Sequence, residues 1–319
     1  MPGLMCSFFK NICVSCFRTK KTINHYEKPC LTKSTGSGTT SAESYGNKDT
    51  KDTPVKIYDK MELLGRGAHS KVYKITINDN VFIKKDVDIR YKNNIIREKH
   101  VLKKLNSLHD SATDFPVYVT SCNEPGLSCI ITKYVEGEDL FDWFNRDKKA
   151  RISENTVKQI FKEMVRLVRI LHGYGFVHLD IKMENFILLK TNDNSIKLSL
   201  IDFDMTHTLY TDKIKIYKMV GTRGYCDYYI YDKLYSDKSD IWSLGVCLWV
   251  LIEKRNPFNH PTDKKTFTKK DFIPVSYRSP IYDKYKKTAI PIIESMLQIE
   301  HEDRVSLENV FNNAWLNSY

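Results

Sequence analysis

The chain has 319 residues, of which 41% are hydrophobic and 28% are charged. This length and composition predict a globular protein of one large domain or two ordinary ones, and exclude a chain too polar to build a core. No apolar run reaches about 18 residues, which excludes a membrane-spanning helix, and the start lacks the features of a signal peptide. The formal net charge of +11 suits an anionic partner such as a nucleotide, a nucleic acid or an acidic membrane face, although a soluble basic surface also explains it.

Residues 1–30 form a basic segment rich in cysteine and apolar side chains. Acylation of Cys6, Cys13 and Cys16 beside basic residues predicts a membrane anchor. A zinc site held by Cys13, Cys16, His25 and Cys30 is a rival interpretation, and a mobile basic tail is a third. Because no secretory signal precedes them, we expect all eight cysteines to be reduced and the protein to be cytoplasmic, with or without membrane association.

Residues 31–56 are rich in Ser, Thr and Gly, and they predict a disordered linker. Compact sequence begins at Ile57. Two β-branched runs flank Asn78-Asp79-Asn80, which predicts a β-hairpin. The stretch "NNIIREKHVLKKL" then has helical spacing, with Ile95, Lys99 and Leu102 on one side, and "LSCIITKYV" predicts another strand.

From about residue 136 the pattern becomes helical. A long amphipathic helix is predicted after Ser153, which is a suitable N-cap, with Gly173 at its end. Two short apolar strands joined by a turn follow at 186–203. The order predicts an α+β fold with a small β-rich lobe at 57–135 and a large, mostly helical lobe at 136–319.

Several polar residues lie around the predicted hairpin. "HLDIKMEN" contains Asp180, Lys182 and Asn185, which indicate either a catalytic loop or a polar turn before a strand. Asp202 ends the second strand in "IDFD". A hairpin that brings Asn185 and Asp202 together would make an oxygen site suited to Mg²⁺.

Two further patterns stand in the β-rich part. "LGRGAHSKV" contains Gly65, Gly67 and Ser70, and such glycines let backbone N–H groups approach phosphates, although a tight turn is the simpler explanation. It is not a P-loop, because Gly-Lys-Ser/Thr is absent. Lys84 lies on a predicted strand, and Glu98 on the following helix could neutralise it.

Taken in order, these motifs resemble those of the eukaryotic-type protein kinases, and the resemblance covers residues 57–317. It implies a bilobal protein kinase-like fold, with a small antiparallel β-sheet lobe carrying one main helix and a large α-helical lobe. It also implies ATP and Mg²⁺, with Mn²⁺ as an alternative, as cofactors and proteins as substrates. No specific nucleic-acid partner is expected, and the oligomeric state stays open.

The resemblance also implies roles for individual residues. Asp180 would accept the proton of the substrate hydroxyl, and Lys182 would stabilise the transferred phosphoryl group. Asn185 and Asp202 would hold the metal. The residues implied to contact the nucleotide are Leu64, Gly65, Gly67, Ser70, Val72, Lys84, Glu98, Thr132, Lys133, Tyr134, Val135, Asp139 and Ile187.

Lys182 and Thr222 are similar to the serine/threonine class, because in that class these two positions contact each other and the catalytic Asp. The predicted activity is therefore transfer of the γ-phosphoryl group of ATP to Ser or Thr hydroxyls. Two alternatives remain open. The first is a pseudokinase that acts as a nucleotide-binding or scaffold module, and the second is a small-molecule kinase of similar fold.

Departures from the family pattern carry further expectations. Leu179 replaces the Arg that usually receives an activating phosphate, so that switch is expected to be absent. Asp204 replaces a Gly, so the turn after Asp202 is expected to flip less freely. Arg223 and Gly224 alter the surface that meets the substrate.

The last two departures concern the nucleotide pocket and the large lobe. Phe82 lies two residues before Lys84 and would share its face, crowding the adenine. In an alternative register Lys85 is catalytic and Ile83 takes that place, but we predict Lys84. Tyr229 replaces a Glu that usually pairs with the residue at Arg304, and Asp227 is a candidate substitute.

Overall fold

The computed structural model describes residues 58–318, apart from 68, 112, 148–150, 193–194, 259–267 and 273–279. The predicted anchor, its zinc and basic-tail alternatives and the linker at 31–56 lie outside the described residues. A search of the described helices finds none that is long and apolar enough to span a bilayer.

The N-terminal lobe contains a five-stranded antiparallel sheet with the strand order β1-β2-β3-β5-β4. The strands are β1 (Lys60–Arg66), β2 (Ser70–Ile77), β3 (Asn80–Asp88), β4 (Tyr118–Glu124) and β5 (Leu127–Lys133). The predicted hairpin is confirmed between β2 and β3. Asn78 and Asp79 take φ angles of 48° and 62° there, the left-handed values that a tight hairpin turn requires.

One main helix packs on this sheet. A short 3₁₀ turn (Ile89–Tyr91) leads into α1 (Lys92–Leu108). Its apolar face is buried among side chains that include Ile130 of β5. Glu98 is buried on the same helix, whereas Lys99, which the sequence pattern placed on the packed side, is only partly buried. The helix therefore carries Glu98 towards β3.

The C-terminal lobe is mainly helical. Its helices are α2 (Leu140–Asn145), α3 (Glu154–Gly173), α4 (Tyr228–Tyr231), α5 (Lys238–Glu253), α6 (Pro280–Tyr285), α7 (Ala289–Met296), α8 (Leu307–Phe311) and α9 (Ala314–Asn317), with 3₁₀ turns at Met183–Asn185 and Lys269–Phe272. Ser153 caps α3 as predicted, because its side chain accepts the N–H of Thr156 at 3.1 Å. Trp242 and Trp249 of α5 are buried in the main core. This core supports the polar loops at the lobe junction.

Short antiparallel strands lie at that junction. Three of them, β6 (Gly137–Asp139), β8 (Phe186–Leu189) and β9 (Leu198–Leu200), form one sheet, which confirms the predicted hairpin. Two pairs complete the set: β7 (Phe176–Val177) with β10 (His207–Thr208), and β11 (Ile214–Lys215) with β12 (Leu234–Tyr235). The β8–β9 hairpin brings the residues that precede β8 next to those that follow β9.

The expectation that all cysteines are reduced is wrong for one pair. Cys122 of β4 and Cys129 of β5 are direct cross-strand neighbours with Cα atoms 5.1 Å apart, and a disulfide joins them. The expectation rested on compartment and spacing, neither of which reports which residues face each other across a sheet. Cys226 and Cys247 are free and buried.

Candidate active site

A cleft of about 480 Å³ opens between the β-sheet and the helical lobe. Most of the predicted site residues line it: Leu64, Gly65, Gly67, Ser70, Val72, Glu98, Thr132, Lys133, Tyr134, Val135, Lys182, Asn185, Ile187 and Asp202. Its lining is largely apolar with a few convergent polar groups, as is usual for small-molecule sites. Lys84, Asp139 and Asp180 are absent from its walls, although Asp180 contacts the wall residue Lys182.

The predicted register of β3 is wrong, because Lys85 and not Lys84 faces the cleft. Side chains alternate along a strand, so Phe82 and Lys84 share one face while Ile83 and Lys85 share the other. Phe82 is only 2% exposed and packs in a separate apolar cluster with Ile75. Burial of this large ring on the far side of the sheet therefore turns Lys85 into the site, and the expected crowding by Phe82 does not arise.

Lys84 is instead part of a buried ion pair on the opposite face of the sheet. It is 4% exposed, and its ammonium pairs with Asp86, the next residue on the same face. A buried ion pair of this kind neutralises a charge that could not otherwise remain in the sheet. Ile83 and Lys85 belong to the alternative register that the sequence analysis weighed and did not choose, and the signal for it was Phe82, whose size fits a closed core better than a nucleotide pocket.

Three carboxylates surround the ammonium of Lys85. Glu98 Oε2 lies 3.2 Å and Asp204 Oδ2 lies 3.1 Å from Lys85 Nζ, and Asp202 Oδ1 also accepts a hydrogen bond from it. Burial by itself would lower the pKa of Lys85, but Asp202, Glu98 and Asp204 together raise it well above its ordinary value. Burial and repulsion by the two aspartates raise the pKa of Glu98, against the attraction of Lys85. Lys85 is therefore a permanently charged group at the back of the cleft.

The predicted catalytic loop brings three functional groups together. Lys182 Nζ lies 2.9 Å from Asp180 Oδ2 and 2.9 Å from Thr222 Oγ1, and the Thr222 hydroxyl donates to Asp180 Oδ1 at 2.6 Å. Burial opposes the charge of Lys182, but the carboxylate of Asp180 raises its pKa. Asp180 is thus a carboxylate held in a fixed orientation beside a positive charge.

Buried Asp240 at the start of α5 supports the backbone of this loop. Its carboxylate accepts the N–H groups of His178 and Leu179, each at 2.8 Å, and it also contacts His172 Nε2 at 2.9 Å. Leu179 has a φ of 65°, so the chain takes a left-handed turn immediately before the buried Asp180. The loop geometry is therefore set by α5.

Asn185 and Asp202 meet as the hairpin predicts and fit a hard cation. The side-chain amide of Asn185 donates to Asp180 O at 2.7 Å, which leaves its oxygen available at the cleft wall. Asp202 uses Oδ1 for Lys85, and its second oxygen has no hydrogen-bond partner in the described part of the chain. One amide and one carboxylate oxygen are ligands that Mg²⁺ accepts.

Asp139, which was predicted to contact the nucleotide, caps a helix and is not part of the cleft wall. Its carboxylate caps α2 by accepting the N–H groups of Phe141 at 2.7 Å and Asp142 at 3.1 Å. Burial raises its pKa to about 6, and repulsion by Asp142 and Glu184 adds to this effect against the two backbone hydrogen bonds. Both backbone hydrogen bonds go to Oδ1, so the carboxylate is held at the start of the helix.

Leu179 packs where a charged residue is usual. It is 3% exposed and belongs to a small apolar cluster with Val177, Ile216, Val220 and Ile230. The segment after Asp202 therefore contacts the catalytic loop through apolar side chains. Burial of this area favours the arrangement without any charged group.

Asp227 replaces the missing glutamate. Its Oδ2 lies 2.8 Å from Arg304 Nη1 and 2.8 Å from His301 Nε2, and both Asp227 and Arg304 have fully buried side chains. Tyr229 turns aside, and its hydroxyl donates to Glu300. The buried ion pair is thus retained, and its carboxylate comes from a residue two positions before Tyr229.

Comparison with known proteins gives a consistent assignment. A family model described as protein kinase domain matches residues 58–316. A probable serine/threonine-protein kinase, fhkC of Dictyostelium discoideum, is 27% identical over 83% of this chain and 45% of its own length. The serine/threonine-protein kinase Nek6 of Oryza sativa subsp. japonica is 27% identical over 82% of this chain and 48% of its own length.

A third relative is matched over nearly its whole length. Myosin light chain kinase A of Dictyostelium discoideum is 28% identical over 82% of this chain and 89% of its own length. The chain spans less than half the length of the other two relatives. The family match covers most of the chain, and the cleft contains the polar groups that its motifs predict. The chain therefore belongs to the protein kinase family.

Proposed function

We propose that the chain is an active serine/threonine protein kinase that uses ATP and Mg²⁺. The observation that carries the proposal is the contact set of Asp180, Lys182 and Thr222, whose Lys182 lines the same cleft as Lys85, Asn185 and Asp202. A nucleotide in this cleft would have a permanently charged Lys85 near its phosphates, and the oriented carboxylate of Asp180 would lie next to Lys182 of the cleft wall.

The chain's own groups account for the roles that phosphoryl transfer needs. Asp180 accepts the proton of an incoming hydroxyl, and its two bonds to Lys182 and Thr222 hold it in one orientation. Lys182 places a positive charge where negative charge builds on the transferred group. Asn185 and Asp202 would hold Mg²⁺, which neutralises phosphate charge when bound.

The pseudokinase alternative loses its two supporting features. Phe82 faces away from the cleft, so it does not obstruct the adenine site. Asp227 supplies the carboxylate to Arg304, so Tyr229 does not leave that residue unpaired. The contact between Lys182 and Thr222 favours the serine/threonine class. The cytoplasmic location and the acylated anchor stay predictions.

Transfer of labelled γ-phosphate from ATP to a mixed protein substrate tests the proposal. We expect label on Ser and Thr in phosphoamino-acid analysis, turnover of roughly 1–100 s⁻¹ on a good substrate, and complete loss when a chelator removes Mg²⁺. Nucleotide binding is measured on the same sample. Folded protein that binds ATP·Mg²⁺ without transferring label would establish the pseudokinase instead.

The apolar packing of Leu179 leads to a prediction on regulation. Because the segment after Asp202 is held without a phosphate–arginine contact, phosphatase treatment is expected to leave the transfer rate unchanged within about twofold. The comparison uses protein before and after treatment, with phosphate content checked by mass spectrometry. A large loss of activity that parallels dephosphorylation would contradict it.

A further inference from the structure

Asp204 is the unusual member of the carboxylate group around Lys85. Its Oδ2 lies 3.1 Å from Lys85 Nζ, its side chain is 15% exposed, and it forms no part of the cleft wall. It therefore contacts the ammonium from outside the cleft wall. Glu98 contacts the same ammonium from α1, so Lys85 is held from two elements at once.

The backbone of Asp204 makes a second connection. Arg97, the residue before Glu98 on α1, donates from Nη1 to the carbonyl oxygen of Asp204. Its positive charge also attracts the Asp204 carboxylate, which offsets part of the excess negative charge that three carboxylates place around one lysine. Adjacent residues of one helix thus contact both Lys85 and the turn that follows Asp202.

The backbone conformation does not require glycine at position 204. Asp202 takes the left-handed φ of 66°, whereas Asp204 is absent from the residues with positive φ, so it is unstrained in the observed turn. A rearranged turn that required positive φ at position 204 would be open to Gly, but an aspartate there would be disfavoured. The contacts of Asp204 with Lys85 and Arg97 and the absence of glycine at position 204 therefore both favour the observed turn.

We propose that Asp204 is a positioning residue that clasps the metal-binding turn to β3 through Lys85 and to α1 through Arg97. The catalytic consequence rests on the proposed kinase function. The clasp holds Lys85, Glu98 and Asp202 in place without the activation-segment phosphate that Leu179 cannot receive. The effect of Asp204 on the stability of this turn can be measured whether or not the protein transfers phosphate.

Hydrogen–deuterium exchange of the full chain is the primary test. The amides of Ile201 and Thr206 donate to the oxygens of Asn185 and Phe203, so they report opening of the turn. In Asp204→Asn and Asp204→Gly we expect about five- to tenfold faster exchange in the peptide over 200–207. Asp212→Asn, an exposed carboxylate of the same segment with no ion pair among the described residues, is expected to exchange as wild type.

A double-mutant cycle separates positioning from general stability. When Lys85→Met is already present, Asp204→Asn should no longer speed exchange, because the partner of the carboxylate is gone and the change only relieves repulsion with Asp202. Arg97→Lys should speed exchange less than Arg97→Ala. In transfer assays Asp204→Asn should lower kcat about tenfold and change the KM for ATP less than threefold, because Asp204 does not line the nucleotide cleft.

The outcomes are separable. Exchange that stays within twofold of wild type in both Asp204 variants overturns the clasp. So does an equal acceleration in Asp212→Asn, or an effect of Asp204→Asn that is unchanged when Lys85 is already Met. If Asp204→Gly fails to fold, the exchange rates of Asp204→Asn and of the Arg97 variants test the clasp. Absence of phosphate transfer by wild type would reject the kinase proposal but leave the exchange test of the clasp intact.

Discussion

Replacing Lys85 with Met is expected to lower kcat by about 10²–10³-fold, because it removes the positive charge at the back of the cleft. Glu98, Asp202 and Asp204 all contact this ammonium, so no neighbouring cation can take its place without moving. The measurement is single-turnover transfer of labelled phosphate at saturating ATP·Mg²⁺. Thermal melting and nucleotide binding of the same sample show whether the fold is retained.

The matched control lies one residue earlier. Lys84 points to the opposite face and pairs with Asp86, so the double change Lys84→Met with Asp86→Asn removes a buried pair without leaving a single charge behind. We expect kcat within about threefold of wild type, since neither residue lines the cleft. If this variant lost phosphate transfer while Lys85→Met retained it, Lys84 and not Lys85 would be the lysine that faces the cleft.

Replacing Asp227 with Ala is expected to lower the free energy of unfolding by about 3–5 kcal/mol, because it leaves the guanidinium of Arg304 buried without its carboxylate. The variant also loses the contact with His301 and the cap of α4 at Ile230. Urea unfolding followed by tryptophan fluorescence measures the loss. The two buried tryptophans of α5 lie in the core that this pair supports.

Tyr229→Phe is the control for this region. It removes the hydroxyl and its contacts with Glu300, Lys213 and Lys269, all of which are partly exposed, and we expect a cost below about 1 kcal/mol. Equal and small effects of Asp227→Ala and Tyr229→Phe would contradict the view that Asp227 replaces the missing glutamate. A large effect of Tyr229→Phe alone would assign the stabilising role to the tyrosine.

The same ion pair predicts how stability depends on pH. Burial alone would raise the pKa of Asp227, but the hydrogen bond from His301 and the charge of Arg304 lower it below the ordinary value of 3.8. A carboxylate whose folded pKa is depressed stabilises the protein at pH values above its unfolded pKa and loses that contribution as the pH falls through the folded value. Wild type should therefore lose stability more steeply than Asp227→Asn below about pH 4.

The larger features of the fold could be predicted from local pattern. The β2–β3 hairpin follows from Asn78 and Asp79, and α3 follows from helical spacing after the cap at Ser153. The motif residues Asp180 and Asn185 lie where the hairpin order places them. Such features depend on side-chain period and turn chemistry, which act over a few residues and can be read along the chain.

The choice between Lys84 and Lys85 could not be read in this way. Each face of β3 presents an apolar residue followed two positions later by a lysine, Phe82 with Lys84 on one face and Ile83 with Lys85 on the other. A shift of one position would exchange the two faces. Only the packing of Phe82 against residues of β2 and β5 decides which lysine faces the cleft. The cross-strand disulfide is a similar case, since the pairing of β4 with β5 selects it.

The sequence by itself determined the family, the order of the elements and the types of residue that carry the chemistry. The tertiary structure decided which charges meet: Arg304 contacts Asp227 from 77 residues away, and Arg97 contacts Asp204 from 107 residues away. The physical reason is that a buried charge must find a partner wherever the fold places one, and distance along the chain does not limit that choice.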